Sequence, residues 1–191
     1  MAASLTEQLL TYYRVLSHWN RKMNLTSLAE PAEAVDRMLL EPVAAAPHLP
    51  HGIDLIDLGS GGGSPAIPLA LALSARRLVM VESRLRKAAF LREVLRELGL
   101  SGTVEAARFE EVATRPAFGG SFGVVSIRAV RLEETTVGAI SALLEPKGHA
   151  ALFGSTPVSG PIEHVPSSLI RRATIPLIPA SRSFLTILRK A

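Results

Sequence analysis

The sequence has 191 residues, of which 48% are hydrophobic and 20% charged, a composition typical of a globular domain with a substantial core. The absence of cysteine excludes disulfide frameworks, thiolate metal sites and cysteine nucleophiles. The formal net charge is +4, and arginine supplies 17 of the 21 basic residues. Because arginine suits bidentate contact with phosphate, this balance is compatible with an RNA partner, although many proteins of this size reach +4 without one.

The sequence contains no candidate for a membrane span or a signal peptide. Its longest apolar stretch, residues 66–73, includes Pro68 and is far shorter than the roughly 20 apolar residues that a span needs. The amino-terminal stretch MAASLTEQLL lacks a basic region followed by an apolar core. We therefore expect a cytoplasmic monomer with one domain over residues 1–191, made of a helical cap (1–50) and a cofactor-binding α/β core (51–191).

The amino-terminal cap is predicted to consist of two helices. Ser4-Leu5-Thr6-Glu7 fits a capping box, and apolar residues then follow at steps of four and three, which is one helical stripe. The stripe consists of Leu5, Leu9, Tyr12, Leu16 and Trp19. A second helix is predicted over residues 31–46, with Val35, Leu39 and Val43 turned inward. Pro42 is expected to bend or break it.

After Gly52 the pattern changes to alternating strands and helices. Strands are predicted at 53–58, 77–82, 103–107, 122–127, 149–153, 169–175 and 184–188. Helices are predicted from Pro65, over 84–98 and over 132–144. We expect Ser83 to cap the 84–98 helix and Gly99 to end it. Its inner face is predicted to be Leu85, Ala88, Ala89, Leu91, Leu95 and Leu98. Pro146 and Gly148 are expected to end the last helix.

This alternation predicts an α/β fold with a doubly wound, mostly parallel sheet. Because only a Pro- and Ser-rich connection separates the last two strands, we expect them to form an antiparallel hairpin at one edge. The outline is that of a Rossmann-like nucleotide-binding fold with an amino-terminal helical cap.

The strongest local signal is the glycine-rich turn that follows the first predicted strand. Gly59, Gly61 and Gly63 lie between a strand and a helix, where glycine allows close approach of a ligand. Glu82 ends the next strand, at a position where a carboxylate accepts hydrogen bonds from ribose hydroxyls. The third glycine comes one residue too early for the dinucleotide fingerprint. Asp57 would repel a pyrophosphate but suits the ammonium of S-adenosylmethionine, which favours a methyl donor over NAD.

Five segments together resemble the RsmG family, the small-subunit rRNA methyltransferase G. Trp19-Asn20-Arg21-Lys22-Met23-Asn24-Leu25-Thr26-Ser27 is similar to its WNKxxNLTS stretch, and the segment from Asp57 to Leu69 to its DxGxGxGxPGIPL. The resemblance continues in order along most of the chain. The further segments are Glu82-Ser83 with Lys87 and Phe90-Leu91-Arg92-Glu93, then Arg108-Phe109-Glu110-Glu111, then Arg128-Ala129-Val130.

The resemblance implies a class I methyltransferase that uses S-adenosylmethionine to methylate guanine N7 in 16S rRNA, either free or in the small ribosomal subunit. It assigns cofactor-binding roles to the turn and to residues near the adenine, the ribose and the methyl group. These residues are Asp57, Gly59, Gly61, Gly63, Ser64, Glu82, Phe109, Glu110 and Arg128. Arg128 is the candidate catalytic residue. Asn20, Arg21, Lys22 and Asn24 are candidates for the RNA side. The five histidines show no metal-ligand spacing, so we expect no metal site.

The expected chemistry agrees with the lack of an evident catalytic base. Guanine N7 holds a free lone pair at neutral pH, so catalysis can consist mostly of positioning. The sequence departs from the family where H-x-x-D-S-L is replaced by Met38-Leu39-Leu40-Glu41-Pro42-Val43, and where a lysine is replaced by Phe153. These departures leave open a different RNA or other acceptor, or a non-catalytic RNA-binding protein on the same fold.

Two charged segments allow more than one interpretation. The run Arg84, Arg86, Lys87, Arg92 and Arg96 is interpreted as a solvated helix face balanced by Glu93 and Glu97, with a phosphate-contacting face as the alternative. Arg128 is either a ligand-contacting residue at a strand end or a surface partner of Glu133 or Glu134.

Overall fold

The computed structural model describes residues 3–25, 30–156, 168–178 and 182–191. Helix α1 (Leu5–Met23) begins after Ser4, whose hydroxyl accepts the N–H of Glu7 while the Glu7 carboxylate accepts the N–H of Ser4. This geometry confirms the predicted capping box. The helix ends at Asn24, which adopts a left-handed conformation with φ of 49°. Thr26 and Ser27 of the family-like stretch lie outside the described residues.

The second helical segment is continuous, so the expected bend or break at Pro42 is wrong. It consists of α2 (Pro31–Val35), a π-helical turn (Asp36–Leu40), α3 (Glu41–Ala45) and a 3-10 turn (Ala46–His48). The N–H of Glu41 donates to the carbonyl of Asp36, five residues back, immediately before the proline. This local widening of the helix accommodates a residue that has no N–H to donate. Leu39 is buried as predicted, whereas Val35 and Val43 are half-buried.

The described part of the chain forms a seven-stranded mixed sheet. The strands are β1 (Asp54–Leu58), β2 (Arg77–Val81), β3 (Gly102–Glu105), β4 (Phe122–Arg128), β5 (Leu144–Gly154), β6 (Leu169–Pro176) and β7 (Phe184–Lys190). Their order is β3-β2-β1-β4-β5-β7-β6. The first five in this order are parallel, and β7 runs antiparallel to both β5 and β6. The predicted parallel sheet with an antiparallel edge hairpin is therefore confirmed.

Helices cover both faces of the sheet. They are α4 (Ala66–Leu73), α5 (Leu85–Leu98), α6 (Phe109–Ala113) and α7 (Glu134–Leu143). Successive residues of a strand face opposite sides, so Leu55 packs in a core with α1, α4 and α5, while Ile56 packs in a second core with α6 and α7. No helix in the described ranges combines the length and apolar character needed to cross a membrane.

Helix α5 starts one residue later than predicted, which changes its buried face. Its amino-terminal residue is capped by no side chain, because the N–H of Arg84 donates to the Glu82 carboxylate instead of Ser83 acting as the cap. Leu85 is 73% exposed and Ala89 is exposed, whereas Phe90 and Val94 are buried. Gly99 ends the helix as predicted, with φ of 61°.

Two other boundaries also differ from the sequence-based expectation. Helix α7 ends at Leu143 and passes directly into β5, so Pro146 and Gly148 lie within a strand rather than ending a helix. The strand is irregular in its register opposite Phe122–Val124, which accommodates both residues. Helix α6 was not predicted, since five residues are too few to display a helical period.

A buried hydrogen bond joins the amino-terminal cap to the sheet. The Tyr12 hydroxyl donates to the carbonyl of Gly62 over 2.6 Å, and Tyr12 is fully buried. We expect Tyr12→Phe to lower the free energy of unfolding by about 1–2 kcal/mol, because the Gly62 carbonyl would lose a buried donor. Urea denaturation measures this change. Tyr13→Phe is the matched control, since the described structure gives its half-buried hydroxyl no partner. Equal stability of the two variants would contradict the assigned bond.

Candidate active site

The glycine-rich turn after β1 is supported from below by the amino-terminal helices. Gly59, Gly61 and Gly63 have φ of 77°, 52° and 89°, which favour glycine because a Cβ is strained there. A Cβ on Gly62 would lie 3.3 Å from both the Leu25 carbonyl oxygen and Met38 Cε. The turn therefore has space for a ligand only on its outer side, where strands of an open α/β sheet end.

Glu82 organises the turn through the backbone. It is 7% exposed at the end of β2. Its Oε2 accepts the N–H of Gly61 over 2.9 Å, and its Oε1 accepts the N–H of Arg84 over 2.8 Å. Each carboxylate oxygen can accept more than one hydrogen bond, so both remain able to accept from a ligand hydroxyl. The structuring role was missed because the sequence pattern identifies only the ligand-binding one.

Asp57 is a buried carboxylate beneath the same turn. It is 1% exposed, and its Oδ1 accepts the Ser126 hydroxyl over 2.5 Å from the neighbouring strand β4. Within the described structure its Oδ2 has no hydrogen-bond partner. Burial raises the pKa of Asp57 to about 6, opposed by the hydroxyls of Ser126 and Ser60 and by the charge of Arg128. A buried carboxylate with an unsatisfied oxygen fits a cationic group of a ligand.

Arg128 ends β4 and is held by three contacts. Its Nη2 lies 2.9 Å from Glu41 Oε2, its Nη1 donates to the carbonyl of Arg37, and its Cζ lies 5.1 Å from the centre of the Phe153 ring. Burial lowers the pKa of Arg128, and the Glu41 carboxylate opposes that shift. An arginine stays protonated in proteins, so the guanidinium remains a cation. The interpretation of Arg128 as a surface partner of Glu133 or Glu134 is therefore wrong.

A cavity of about 350 Å³ opens beside Arg128 at the carboxyl ends of β4 and β5. The loop after β4 brings this cavity to the glycine turn, because Val130 Cγ2 lies 3.3 Å from the position of a Cβ on Gly59. Apolar and polar side chains share the wall, which suits a flat ligand with polar edges. They include Arg37, Glu41, Ile127, Arg128, Val130, Leu132, Phe153, Ser155, Thr156 and Thr186.

The positions where the sequence departs from the family pattern all touch this site. Met38 packs against Gly62, Glu41 pairs with Arg128, and the Phe153 ring lies against the guanidinium of Arg128. Pro42 is buried in α3, directly after Glu41. The sequence alone identifies these as isolated departures, whereas the structure shows that they form one set of contacts around Arg128 and the turn.

The remaining cofactor candidates lie around the same edge of the sheet. Ser64 is nearly buried, and its hydroxyl donates to the Arg37 carbonyl over 3.4 Å. Phe109 is half-buried at the start of α6 and packs against the second core, while Glu110 is exposed. Both follow β3, which neighbours the β2 strand that ends near Glu82.

The four RNA-side candidates occupy the end of α1 and do not line the Arg128 cavity. The Asn20 carbonyl accepts the N–H of Asn24, and the Arg21 guanidinium lies 3.3 Å from His18 Nδ1. Lys22 is exposed at a groove between α1 and α5. In the described ranges, no group of three or more histidines and carboxylates is placed to hold a metal ion.

Sequence comparison relates the chain to one family. The family model for GidB, rRNA small subunit methyltransferase G, matches residues 5–157. The chain is 38% identical to the ribosomal RNA small subunit methyltransferase G of Stenotrophomonas maltophilia over 146 residues, which is 76% of this chain and 67% of that protein. It is 40% identical to the protein of the same name from Pseudomonas paraeruginosa over 114 residues, which is 59% of this chain and 53% of that protein.

Solved structures support the fold. A SAM-dependent methyltransferase from Aquifex aeolicus aligns with a TM-score of 0.61 and 14% identity over 88% of this chain and 97% of that one. A mutant of MtNAS in complex with S-adenosylmethionine aligns with a TM-score of 0.64 and 15% identity over 98% of this chain and 73% of that one. At such identities the likeness establishes the fold, and it confirms the predicted class I methyltransferase architecture.

Proposed function

Since the chain belongs to the rRNA small subunit methyltransferase G family, we propose that it transfers the methyl group of S-adenosylmethionine to guanine N7 of 16S rRNA. One observation carries this proposal. The glycine turn and the cavity beside Arg128 adjoin through the contact region of Val130 and Gly59. A cofactor on the turn and an acceptor base in the cavity would therefore meet at one edge of the sheet.

The residues around the turn fit the cofactor. S-adenosylmethionine supplies a methyl group on a positively charged sulfur, which makes the methyl electrophilic. Gly59, Gly61, Gly63 and Ser64 would present backbone to the cofactor without steric conflict, and Glu82 would accept its ribose hydroxyls. Asp57, with its unsatisfied Oδ2, would bind the ammonium of the amino-acid end. Phe109 and Glu110 would flank the adenine.

Arg128 is the proposed catalytic residue. Guanine presents two acceptors, O6 and N7, on the edge that is methylated, and arginine is well suited to contact that edge. Because the N7 lone pair is free, no side chain needs to remove a proton before attack. The role of Arg128 is then to position the base, and its guanidinium faces the cavity from a fixed place because Glu41 and Phe153 hold it.

The test is an acceptor assay with labelled S-adenosylmethionine. Undermethylated small ribosomal subunits, protein-free 16S rRNA and bulk tRNA are compared. We expect the label to enter the 16S rRNA of one or both small-subunit substrates as 7-methylguanine. Label in tRNA alone would assign a different acceptor. Tight cofactor binding without transfer to any RNA would assign a non-catalytic RNA-binding role.

Glu110 provides a test of the cofactor site that does not disturb folding. It is exposed on α6 and makes no contact that the structure describes. We expect Glu110→Ala to weaken S-adenosylmethionine binding about tenfold, as the loss of one hydrogen-bonding contact would, with no change in thermal stability. Isothermal titration calorimetry measures the affinity. Glu111→Ala, an equally exposed neighbour, is the control, and unchanged affinity in Glu110→Ala would remove that residue from the site.

We also infer that the protein acts in the cytoplasm as a monomer with a single domain. The apolar core supports the last point, because Tyr12 and Leu16 of the cap pack in the same cluster as Leu55 of the sheet and Leu91 of α5. Light scattering coupled to size-exclusion chromatography tests the oligomeric state, and a mass of two chains would contradict it.

A further inference from the structure

Positive charge is concentrated on two helices of this protein. Helix α1 carries three cations and one carboxylate, and α5 with its capping residue Arg84 carries five cations and two carboxylates. The two helices therefore hold a net charge of +5, whereas the whole chain has +4. The cations are Arg14, Arg21, Lys22, Arg84, Arg86, Lys87, Arg92 and Arg96.

The helices on the other face of the sheet have the opposite charge. Helix α6 contains Glu110 and Glu111 and no cation, and α7 with its capping residue contains Glu133 and Glu134 and no cation. The sheet thus separates a cationic helical layer from an acidic one. Such a distribution orients a protein toward a polyanion by its field, independently of specific contacts.

Helices α1 and α5 form one continuous surface. Trp19 of α1 and Phe90 of α5 have ring centres 5.9 Å apart. A groove of about 510 Å³ runs between the helices beside Trp19, and the cations Arg14 and Lys22 line it. The cationic side chains of the two helices consequently belong to a single face, which we call the α1–α5 face.

The carboxylates on this face do not neutralise its cations. Glu93 Oε1 lies 2.7 Å from the Arg96 guanidinium, and Glu97 binds the same guanidinium. The expectation that Glu93 and Glu97 balance the whole run on α5 is therefore wrong, since Arg96 engages both. In the part of the chain that the structure describes, no ion pair joins a carboxylate to Arg14, Lys22, Arg84, Arg86 or Lys87.

The α1–α5 face extends to the candidate active site. The Leu25 carbonyl, just beyond α1, lies 3.3 Å from the position of a Cβ on Gly62. Lys87 Nζ, on the first turn of α5, lies 4.0 Å from that of a Cβ on Gly61. A polyanion bound along the two helices would thus reach the edge of the sheet at which the glycine turn is found.

We propose that the α1–α5 face binds the phosphate backbone of the RNA and delivers the acceptor nucleotide to the site, while the α6–α7 layer faces away. Arginine and lysine without carboxylate partners are the groups that bind phosphate, and each contact releases a counterion. The identity of the RNA as small-subunit rRNA rests on the proposed function. The placement of the binding face rests on the charges.

The test compares two triple variants that remove the same residue types. Arg14→Gln/Lys22→Gln/Arg86→Gln neutralises the α1–α5 face. Arg76→Gln/Lys147→Gln/Arg172→Gln removes two arginines and one lysine that are exposed elsewhere on the molecule. Binding of protein-free 16S rRNA is measured over a range of salt concentrations by filter retention. Cofactor affinity and methyl transfer to undermethylated small subunits are measured in parallel.

We expect the first variant to bind the RNA about tenfold or more weakly at 0.1 M salt, and to lose about one unit of log–log salt slope per contacted phosphate. The control should keep the slope of the unmodified protein, and both should bind S-adenosylmethionine normally. Equal losses in the two variants, or no loss in the first, would overturn the placement. Binding of anionic vesicles but not RNA through this face would also overturn it. Failure of the unmodified protein to methylate rRNA, with the slope difference intact, would instead overturn only the proposed function.

Discussion

We expect Arg128→Lys to lower the single-turnover rate of methyl transfer to small-subunit rRNA by about a hundredfold. The exchange keeps a positive charge near Glu41 but loses the planar fork that also donates to the Arg37 carbonyl and stacks on Phe153. A lysine cannot hold several such contacts at once, and small displacements at a reacting centre cost about this much. The rate is measured with labelled S-adenosylmethionine at saturating RNA.

The choice of lysine follows from the burial of the ion pair. Glu41 is 4% exposed, so Arg128→Ala would leave a buried carboxylate without its partner and would cost roughly 3–5 kcal/mol of stability. Loss of activity in that variant would not separate catalysis from unfolding. Arg131→Lys is the matched control, because Arg131 is exposed on the same loop and does not line the cavity. A normal rate in Arg128→Lys, with a lowered urea midpoint, would assign Arg128 a structural role only.

The order and type of most elements could be predicted because they depend on local pattern. The run of apolar residues in β1, the glycines after it and the periodic stripe of α1 are each visible within a dozen residues. Elements set by tertiary packing were not predictable in this way. The start of α5 depends on Glu82, which captures the N–H of Arg84, and that contact shifts the buried face from Leu85 to Phe90.

The site shows the same division between local signals and distant contacts. The residues of the turn lie close together in sequence, so a pattern could identify them. The contact of Glu41 with Arg128 joins positions 87 residues apart, and it exists because the π-helical turn at Asp36–Leu40 places α3 over the end of β4. Ser126 did carry a local signal, since it is the one hydroxyl within the otherwise apolar stretch of β4 from Phe122 to Ile127. Its partner Asp57 becomes evident only from the strand register.

We expect Asp57→Asn to weaken S-adenosylmethionine binding about a hundredfold at pH 8 and to abolish the pH dependence of that binding between pH 5 and 8. The ammonium of the cofactor needs an ionised partner, and loss of the charge from a buried pair has an effect of this size. Because burial raises the pKa of Asp57 to about 6, the affinity of the unmodified protein should fall as the pH falls through 6. Calorimetry at a series of pH values measures both effects.

Stability should change with pH in the opposite direction from affinity. The folded-state pKa of Asp57 lies above its ordinary value of 3.8, so between these values the folded protein binds a proton that the unfolded chain does not. The contribution of Asp57 to the free energy of unfolding without cofactor should therefore rise, by up to about 3 kcal/mol, as the pH falls from 8 through 6 toward 4. Asp57→Asn should lack this rise. Asp54→Asn, on the same strand but partly exposed beside Arg76 and Arg77, should retain it. An affinity that stays constant across pH 6 in the unmodified protein would remove Asp57 from the cofactor site, whereas the stability difference alone would leave it a buried structural carboxyl.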